Sequence, residues 1–332
     1  MASVHCSQME ISEQRAPGIG TVRPRTSRIS QVVTLVAVIV PPLGIASAMG
    51  LLWGVAFHWA DVAVLLVAYT VCAFGTTIGF HRYFTHKSFQ ARAPVKALLA
   101  ILGCMTVQGA LTQWVTDHRK HHAFSDMEGD PHSPHAGQEG EGPWDVFKGF
   151  VHAHVGWMFS NLGMEQGHEY GKDLYDDRLI RTIDRLYLVW VVLTLGIPFA
   201  VGYSIGGTRL GVEALVWGGL IRIFLYQHAT FAVNSICHMF GRQDYRARDE
   251  SRNNWFVAFL VFGEGWHNNH HAFPSSARHG LAWWQYDLSW WVIRGLEKLG
   301  LAWDVKLPTA EQMQRRRRAA PAERSASEPA SA

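Results

Sequence analysis

Four long runs of the sequence carry almost no charge, and they constrain the fold more than any other feature. They cover residues 32–57, 62–80, 186–208 and 214–233, and Arg222 is the one charged side chain inside them. A helix needs about 20 consecutive apolar residues to cross roughly 30 Å of hydrocarbon. The runs therefore predict an all-α integral membrane protein with four transmembrane helices in two hairpins.

The distribution of lysine and arginine predicts how these helices are oriented. The short loops at 58–61 and around Arg209 hold one basic residue between them, whereas the other connecting segments and the termini hold nearly all the rest. Since basic residues collect on the cytoplasmic side, both termini are predicted in the cytoplasm, with the protein in the cell (inner or plasma) membrane. A cytoplasmic helical cap would then comprise residues 81–185 and 234–308.

Both ends of the chain are predicted to be disordered cytoplasmic tails. Residues 1–28 are polar and lack the apolar stretch of a secretory signal. Residues 309–332 contain the basic run 315–318 followed by Ala, Ser, Pro and Glu, a composition that does not support a packed core.

Residues 97–116 are also uncharged and challenge the count of four helices. Their second half is more polar than the other runs, with Thr106, Gln108, Thr112 and Gln113. A helix crossing here would place the histidines before it and those after it on opposite faces of the membrane. The segment is therefore predicted to lie against the cytoplasmic face or to dip into it.

Composition excludes several classes of protein. The chain has 18 histidines and 14 tryptophans but only 17% charged residues, which is unlike a disordered chain. Its net charge of +3 gives no support for nucleic-acid binding. The four cysteines are far apart with no CxxC pair, so neither a disulfide framework nor a cysteine zinc site is indicated.

Eight of the histidines fall in three short clusters. These are HRYFTH at 81–86, HRKHH at 118–122 and HNNHH at 267–271. On a helix HxxHH directs three imidazoles to one face, whereas HxxxxH separates its two by about 140° and suits a helix end. Eight imidazoles exceed the ligand number of one ion, so two metal ions with about four ligands each are predicted. Iron, zinc, copper and nickel all accept imidazole.

The other histidines are predicted mainly to be ordinary hydrogen-bonding residues rather than ligands. That group comprises His58, His152, His154, His168, His228 and His279, with His132 and His135 placed on a surface loop. His238, five residues past the fourth run, stays ambiguous on spacing alone. Arg222 should face protein or water because a charge is costly in lipid.

Several segments resemble the membrane-bound fatty acyl desaturases. They are GFHRYFTHKSF (79–89), DHRKHHAFSD (117–126) with GDPHSP after it, NSICHMFG (234–241) and GEGWHNNHHAFP (263–274). The similarity is greatest to the stearoyl-CoA (acyl-CoA delta-9) desaturase type, and a bacterial member is expected. It runs from about residue 75 to residue 301 and makes residues 29–308 a membrane desaturase domain.

The resemblance implies a nonhaem di-iron centre and assigns residues to it. The implied metal ligands are His81, His86, His118, His121, His122, His238, His267, His270 and His271. Asn234 matches a position that reaches one iron through water, and Asp117, Trp114 and Phe231 match positions near the substrate. Thr116 and Gly109 depart from the arginine and asparagine of the animal enzymes, and Phe231 replaces a tryptophan. These departures concern the acyl carrier and leave the metal ligands unchanged.

The predicted reaction is O2-dependent insertion of a cis double bond, at delta-9, into a long-chain acyl thioester such as stearoyl- or palmitoyl-CoA. Removing hydrogen from an unactivated methylene needs an oxidant, which redox-inert zinc does not provide. The sequence has no GxGxxG after a strand and no haem or iron–sulfur ligand pattern. The electrons are therefore predicted to come from a partner, and the resemblance implies that this is either ferredoxin with an NAD(P)H-dependent reductase or cytochrome b5.

Other functions remain open at this point. The nearest are an acyl-lipid desaturase and a fatty acyl hydroxylase on the same scaffold. A membrane metal transporter or a metal-binding regulatory protein would also carry histidines. A transporter should place its polar ligands within the spans, whereas these histidines follow the span ends.

Overall fold

Helices make up most of the structure, a computed structural model that describes residue 42 and residues 59–135, 140, 142–159 and 167–318. The first helix, α1 (Trp59–Phe74), continues as the π-helical segment Gly75–Thr85, and after it come α2 (Ala93–Cys104), α3 (Leu111–Phe124), α4 (Pro143–His154), α5 (Gly167–Asp176) and α6 (Arg178–Arg185). Helix α7 (Tyr187–Leu215) continues through the π-helical segment Val216–Ile221 into α8 (Arg222–Met239). The last helices are α9 (Trp255–Leu260), α10 (His267–Ala272), α11 (Leu288–Lys298) and α12 (Ala310–Arg316). A small antiparallel sheet pairs β1 (Gln90–Ala91) with β2 (Ala302–Trp303). The predicted helical fold is confirmed for these residues.

Two helices of the described ranges are long and apolar enough to cross a membrane, Trp59–Thr85 and Tyr187–Met239. Outward side chains such as Val67, Leu188 and Ile205 are large, apolar and exposed. The predicted spans 62–80, 186–208 and 214–233 fall almost entirely within these two helices. The predicted span 32–57 and tail 1–28 lie outside the described residues, apart from residue 42. The count of four transmembrane helices therefore stays a prediction.

The second long helix folds back on itself at Gly206 and Gly207. The backbone of both glycines is non-helical, and Gly207 has a φ of +71°, which a residue with a Cβ adopts only with strain. On either side the two arms pack closely: a Cβ on Gly202 would lie 2.2 Å from the carbonyl oxygen of Leu210, and one on Gly218 would contact Pro198. Residues 187–239 thus form an antiparallel pair of helices, with the turn slightly earlier than the charge pattern predicted.

The uncharged stretch 97–116 is two helices separated by a turn. Helix α2 ends at Cys104 and α3 begins at Leu111. The backbone between them is bonded to the hairpin: the carbonyl of Val107 accepts from Gln227 Nε2 at 2.7 Å, and the N–H of Gly109 donates to the Tyr187 hydroxyl at 3.1 Å. Non-helical backbone is tolerated at membrane depth only where protein groups satisfy it. The stretch is therefore not one continuous helix, and its position relative to the membrane stays a prediction.

The Arg222 side chain also bonds to the backbone of the turn between α2 and α3. Its guanidinium donates to the carbonyl of Met105 at 3.0 Å, to Thr194 Oγ1 at 2.5 Å and to the carbonyl of Gly218 at 3.2 Å. The Thr194 hydroxyl donates to the same Met105 carbonyl at 2.8 Å. Arg222 is 1% exposed. The side chain therefore faces protein, as predicted, and joins the two arms of the hairpin to the end of α2.

Small residues allow the π-helical segment to pack on α2. A Cβ on Gly75 would lie 2.1 Å from the backbone nitrogen of Gly103, and one on Gly103 would lie 2.2 Å from the ring of Phe80. The same ring belongs to a buried apolar cluster with Cys104 and Leu111. This packing fixes the end of the first long helix against the start of α3.

The prediction of a disordered tail from residue 309 is wrong for residues 309–318. Residues Ala310–Arg316 form α12, whose first turn is closed by a capping box between Thr309 and Gln312. The Arg316 guanidinium bonds to the carbonyl of Ala272 and lies 5.7 Å from the centre of the Phe273 ring. Composition alone could not show these contacts, because they join the segment to residues that are about 40 positions earlier.

Replacing Arg222 with methionine should destabilise the protein. The change removes three hydrogen bonds from a charged donor, and we expect a loss of about 1–3 kcal/mol in the free energy of unfolding. Thermal unfolding of purified protein in detergent measures this. The control Arg315→Met removes an exposed guanidinium that bonds Glu311, and equal melting temperatures for the two variants would contradict the role given to Arg222.

Candidate metal centre

The first histidine pair is brought together by π-helical winding. The N–H of His86 donates to the carbonyl of His81 at 3.1 Å, which is the i to i+5 bond of a π-helix. Five residues then make about one turn, so the two imidazole rings lie 4.9 Å apart between centroids instead of diverging. The prediction that HxxxxH sits at a helix end is met by His86, which follows the last helical residue.

The second cluster lies on α3, as its spacing predicts. His118, His121 and His122 belong to the last two turns of this helix. The first turn is held by Asp184, whose carboxylate accepts from the backbone N–H of Leu111 at 3.0 Å and of Thr112 at 3.1 Å. The three imidazoles therefore project from a helix that is anchored at its start.

The third cluster forms α10, a six-residue helix in which every residue is buried. The two asparagines between its histidines hold it in place. Asn269 Nδ2 donates to the side chain of Gln285 at 2.9 Å and to the carbonyl of His279 at 2.8 Å. Asn268 bonds through both side-chain atoms to the backbone of Tyr245, at 2.8 and 3.0 Å. These bonds explain why HNNHH, rather than three histidines alone, occupies this short helix.

The structure brings together all nine histidines that were predicted as ligands. One group contains His81, His86, His118, His122 and His270, and the other contains His121, His238, His267 and His271. Within each group the candidate ligand atoms lie within 4.8 Å of one another. We call these the five-histidine group and the four-histidine group. His238, ambiguous on spacing, falls in the last turn of α8 and belongs to the second group.

Four carboxylates lie behind the histidines and contact their Nδ1 atoms. Asp130 lies 2.9 Å from His121, Asp126 lies 3.0 Å from His238, Asp249 lies 2.6 Å from His271, and Glu264 contacts His81. A carboxylate accepts the Nδ1 proton and leaves a lone pair on Nε2. Each of these four imidazoles therefore presents a bare nitrogen to its group.

The nitrogen atoms inside the groups are positioned for a cation. His81 Nε2 and His270 Nε2 are 3.0 Å apart, as are His238 Nε2 and His267 Nε2. Among the described residues, Nε2 of His86, His121 and His271 has no hydrogen-bond partner. Imidazole nitrogens this close together fit metal ions, and imidazole suits iron, zinc, copper and nickel. Both groups thus fit the predicted metal pair.

Most of these imidazoles are neutral near pH 7. Burial, and after it the neighbouring imidazoles, holds the pKa of His86, His118, His122, His267 and His270 well below that of ordinary histidine. Burial likewise lowers the pKa of His271 to about 4, against the attraction of Asp249. At His238 burial acts in the same direction, but the hydrogen bond and charge of Asp126 raise the pKa.

Sequence reasoning missed the groups that support the ligands. His132, predicted on the surface, is 4% exposed, and its ring centroid lies 4.3 Å from that of His121. His279, predicted to be ordinary, is buried with its Nδ1 3.1 Å from Glu264. His135 is half-buried rather than exposed, and its Nε2 lies 3.0 Å from the carbonyl oxygen of His238. A loop position in the sequence does not reveal such packing.

The four missed carboxylates differ in whether a local signal in the sequence could have identified them. Asp126 and Asp130 closely follow the second cluster, and Glu264 precedes the third by three residues, so proximity to a histidine cluster could have identified them. Asp249 is 22 residues from His271, the ring it contacts, and no local signal marks it.

The predicted substrate residues lie close to the histidine groups. Trp114 stacks on the His118 ring with centroids 5.0 Å apart. Burial raises the pKa of Asp117 to about 7 against the attraction of Lys120, and its Oδ1 is buried without a partner among the described residues. Phe231 is buried on α8, with its ring centroid 5.9 Å from that of His154. Asn234, one turn before His238, lies on the same helix.

Two histidines predicted to be ordinary form a pair outside the metal groups. His154 Nε2 and His228 Nδ1 are 3.0 Å apart, and His154 Nδ1 lies 3.0 Å from the Ser235 hydroxyl. The prediction for these two is consistent with this hydrogen-bonded arrangement.

The fold and the site together define a helical protein with two histidine groups that could hold metal ions and with helices of membrane-spanning length. Comparison with known proteins agrees: residues 57–306 match the model of the fatty acid desaturase family. The chain belongs to this family, and it is an oxidoreductase whose family is membrane-associated and acts on fatty acyl groups with an electron donor.

The names of similar proteins specify acyl groups on different carriers. The chain is 44% identical to a hex-5-enoyl-[acyl-carrier protein] acetylenase of Moorena producens over 83% of this chain and 86% of that protein. It is 40% identical to an sn-1 stearoyl-lipid 9-desaturase of Anabaena variabilis, over 77% and 88%. It is 38% identical to an acyl-CoA C20 delta-5-desaturase of Anemone leveillei, over 76% of each chain.

The lowered pKa values of four rings in the five-histidine group predict metal binding that is insensitive to mild acid. In a His238→Ala variant, which disables the other group, Fe²⁺ affinity should change little between pH 8 and 6.5 because four of the five rings, those with lowered pKa values, are already neutral there. Protonation should release the ion only at lower pH. Metal retention after dialysis at each pH measures this, and a steep loss between pH 7.5 and 6.5 would contradict it.

Proposed function

We propose that this protein is an O2-dependent fatty acyl desaturase that inserts a cis double bond at delta-9 into a long-chain acyl thioester such as stearoyl- or palmitoyl-CoA. The observation that carries the proposal is the convergence of nine histidines, seven buried and two half-buried, into two groups in a chain of the fatty acid desaturase family. The product would serve unsaturated fatty acid biosynthesis.

The two groups would hold two iron ions. The five-histidine group would supply five ligands to one ion, and the four-histidine group would supply four to the other, with Asn234 reaching that ion through water. Bound iron would provide, with O2 and two electrons, the oxidant that removes one hydrogen from each of two adjacent methylene carbons. The carboxylates behind the ligands would hold the Nδ1 protons and keep each Nε2 lone pair directed inward.

Three side chains would position the substrate. Trp114 lies against His118 and would form the wall between the acyl chain and the five-histidine group. Phe231, buried on α8, would contact the chain from the opposite helix, and Asp117, next to His118, would contact the polar head of the substrate. Fixing which carbons meet the metal pair is a matter of orientation, which supplies much of an enzyme's rate enhancement.

Four transmembrane helices in two hairpins would carry this centre. Both His86, after the first long helix, and His238, at the end of the second, belong to the metal groups. Helix ends that contribute to one site would lie on the same side of the membrane, and the charge pattern favours the cytoplasmic side. Residues 29–308 would form the membrane desaturase domain, with the span 32–57 completing the first hairpin and both termini in the cytoplasm.

A second candidate is desaturation of an acyl chain on a membrane lipid. It is favoured by the 40% identity to a stearoyl-lipid 9-desaturase. Thr116 and Gly109 stand where arginine and asparagine would contact coenzyme A in the animal enzymes, which removes one charge from that region. Stearoyl-CoA, stearoyl-acyl carrier protein and a stearoyl glycerolipid offered separately to the purified protein would identify the carrier.

The electron donor would bind an arginine-rich surface beside the four-histidine group. Arg242, Arg246 and Arg248 are exposed, and Arg248 directly precedes Asp249, which contacts His271. Such a surface fits an acidic carrier, either ferredoxin with its NAD(P)H-dependent reductase or cytochrome b5, because complementary charge speeds association.

Expression in a host that lacks its own desaturase tests the function. We expect new monounsaturated fatty acids with the double bond at delta-9, located by mass spectrometry after derivatisation. His270→Ala should abolish them because it removes a ligand at the contact with both His81 and His122.

The matched control is His152→Ala, which removes a half-buried histidine outside both metal groups and should retain activity. Absence of any new unsaturated species, with iron bound and electron partners supplied, would overturn the desaturase proposal. Retained activity in His270→Ala would overturn the ligand assignment.

Charge reversal at the arginine-rich surface should weaken the electron donor's binding. For Arg246→Glu with Arg248→Glu we expect the KM for reduced ferredoxin to rise about 10-fold, with kcat at saturating donor unchanged. The control is Arg178→Glu, an exposed arginine on α6. Steady-state oxidation of ferredoxin at several ionic strengths measures both, and equal KM values would contradict the assigned surface.

A further inference from the structure

The two histidine groups differ sharply in the charge around them. In the four-histidine group three of the four rings have a carboxylate on Nδ1, from Asp126, Asp130 and Asp249. In the five-histidine group, within the part of the chain that the structure describes, a carboxylate contacts Nδ1 at His81 alone, from Glu264. The group with fewer imidazoles therefore has more negative charge directly behind its ligands.

The pairing of Arg82 with Glu264 increases this difference in negative charge between the two groups. Glu264 forms an ion pair with the buried Arg82, with Nη2 to Oε1 at 3.0 Å, and also contacts His279 Nδ1 at 3.1 Å. Its negative charge is thus shared with a guanidinium that also pairs with Asp287 at 2.9 Å. Among the described residues, no lysine or arginine forms an ion pair with the three aspartates of the other group.

The three aspartates are instead held by neutral donors. Asp126 accepts from the Ser133 hydroxyl at 2.6 Å and from the backbone N–H of Glu250 at 2.8 Å. Asp130 accepts from the N–H of Asp126 at 2.9 Å, and Asp249 accepts from the N–H of Ser251 at 3.1 Å. These bonds fix the carboxylates without cancelling their charge, so the charge acts on whatever binds to the histidines.

Carboxylates in this position strengthen metal binding in two ways. They fix the tautomer and orientation of the ring and make its Nε2 more basic, and they attract the positive ion through a poorly solvated interior. Loss of one such partner costs about 10- to 100-fold in metal affinity. Ligand number alone would favour the five-histidine group, but its one extra neutral imidazole is opposed by the three aspartates behind the four-histidine group, none of which pairs with lysine or arginine among the described residues.

We propose that the four-histidine group binds its metal ion first and releases it last, and that Asp126, Asp130 and Asp249 are positioning residues that set this order. The inference rests on the proposed function in assuming that both groups hold iron. It adds that the two ions are bound with unequal strength and that the metal centre assembles from the α8 and α10 side.

Stepwise removal of metal tests the order. Full-length protein loaded anaerobically with Fe²⁺ is dialysed against increasing chelator, and iron per chain is measured by mass spectrometry. We expect two steps of one ion each. His86→Ala should lose the weak step and keep the tight one, whereas His271→Ala should lose the tight step and keep the weak one. Release in a single step, or the reverse assignment in these variants, would overturn the proposal.

Carboxylate variants test the cause. Asp126→Asn, Asp130→Asn and Asp249→Asn keep the size of the side chain and should each weaken the tight step about 10- to 100-fold, leaving the weak step unchanged. Glu264→Gln is the matched control and should affect only the weak step. An unchanged tight step in all three aspartate variants would overturn the role of these residues.

Two further measurements separate failure of the proposal from other failures. Asp249→Glu restores the charge, and recovery of tight binding with it shows that an Asn variant did not simply misfold; its failure to recover, in a protein with native thermal unfolding, would count against the charge argument. Two ordered steps in a protein that makes no unsaturated product would leave this proposal standing and overturn the proposed function alone.

Discussion

The contact between a carboxylate and the Nδ1 of a histidine is the interaction on which the two histidine groups depend. Without it a buried neutral imidazole could carry its proton on either nitrogen. With Asp126, Asp130, Asp249 and Glu264 in place, four rings direct lone pairs inward. Such an arrangement is costly in an apolar interior unless a cation is bound, so the contacts that order these imidazoles also make the two groups suitable for metal ions.

The helices around the two groups have the winding and packing that bring the histidines together. An α-helix would turn His81 and His86 away from each other, and π-helical winding after Phe74 turns them to the same side. The glycines at 75 and 103 let that wider helix lie directly on α2. The turn between α2 and α3 is held by Arg222, Thr194 and Gln227 on the hairpin, so this long apolar hairpin positions the second histidine cluster.

The sequence could predict those parts of the site whose geometry is local. HxxHH on α3 and on α10 places imidazoles on one face by helical spacing alone, and the predicted histidines do converge. The burial of His132 and His279 and the contact of Asp249 with His271 depend on segments far apart in the chain, which no periodicity encodes. The order in residues 309–318 was missed for the same reason, since the anchoring contact of Arg316 lies at Ala272.

The predicted metal ligands and the predicted substrate residues lie on the same helices but in different turns. On α3 the ligands occupy the last two turns, whereas Trp114, Thr116 and Asp117 precede them; on α8 Phe231 precedes His238 by two turns. Residues before the ligands can therefore change without altering the metal groups. The names of relatives of 38–44% identity specify acyl-carrier protein, lipid or coenzyme A. Under the proposed function, Gly109, Thr116 and Phe231 would affect the choice of acyl carrier, while the nine histidines would keep the arrangement of the two groups.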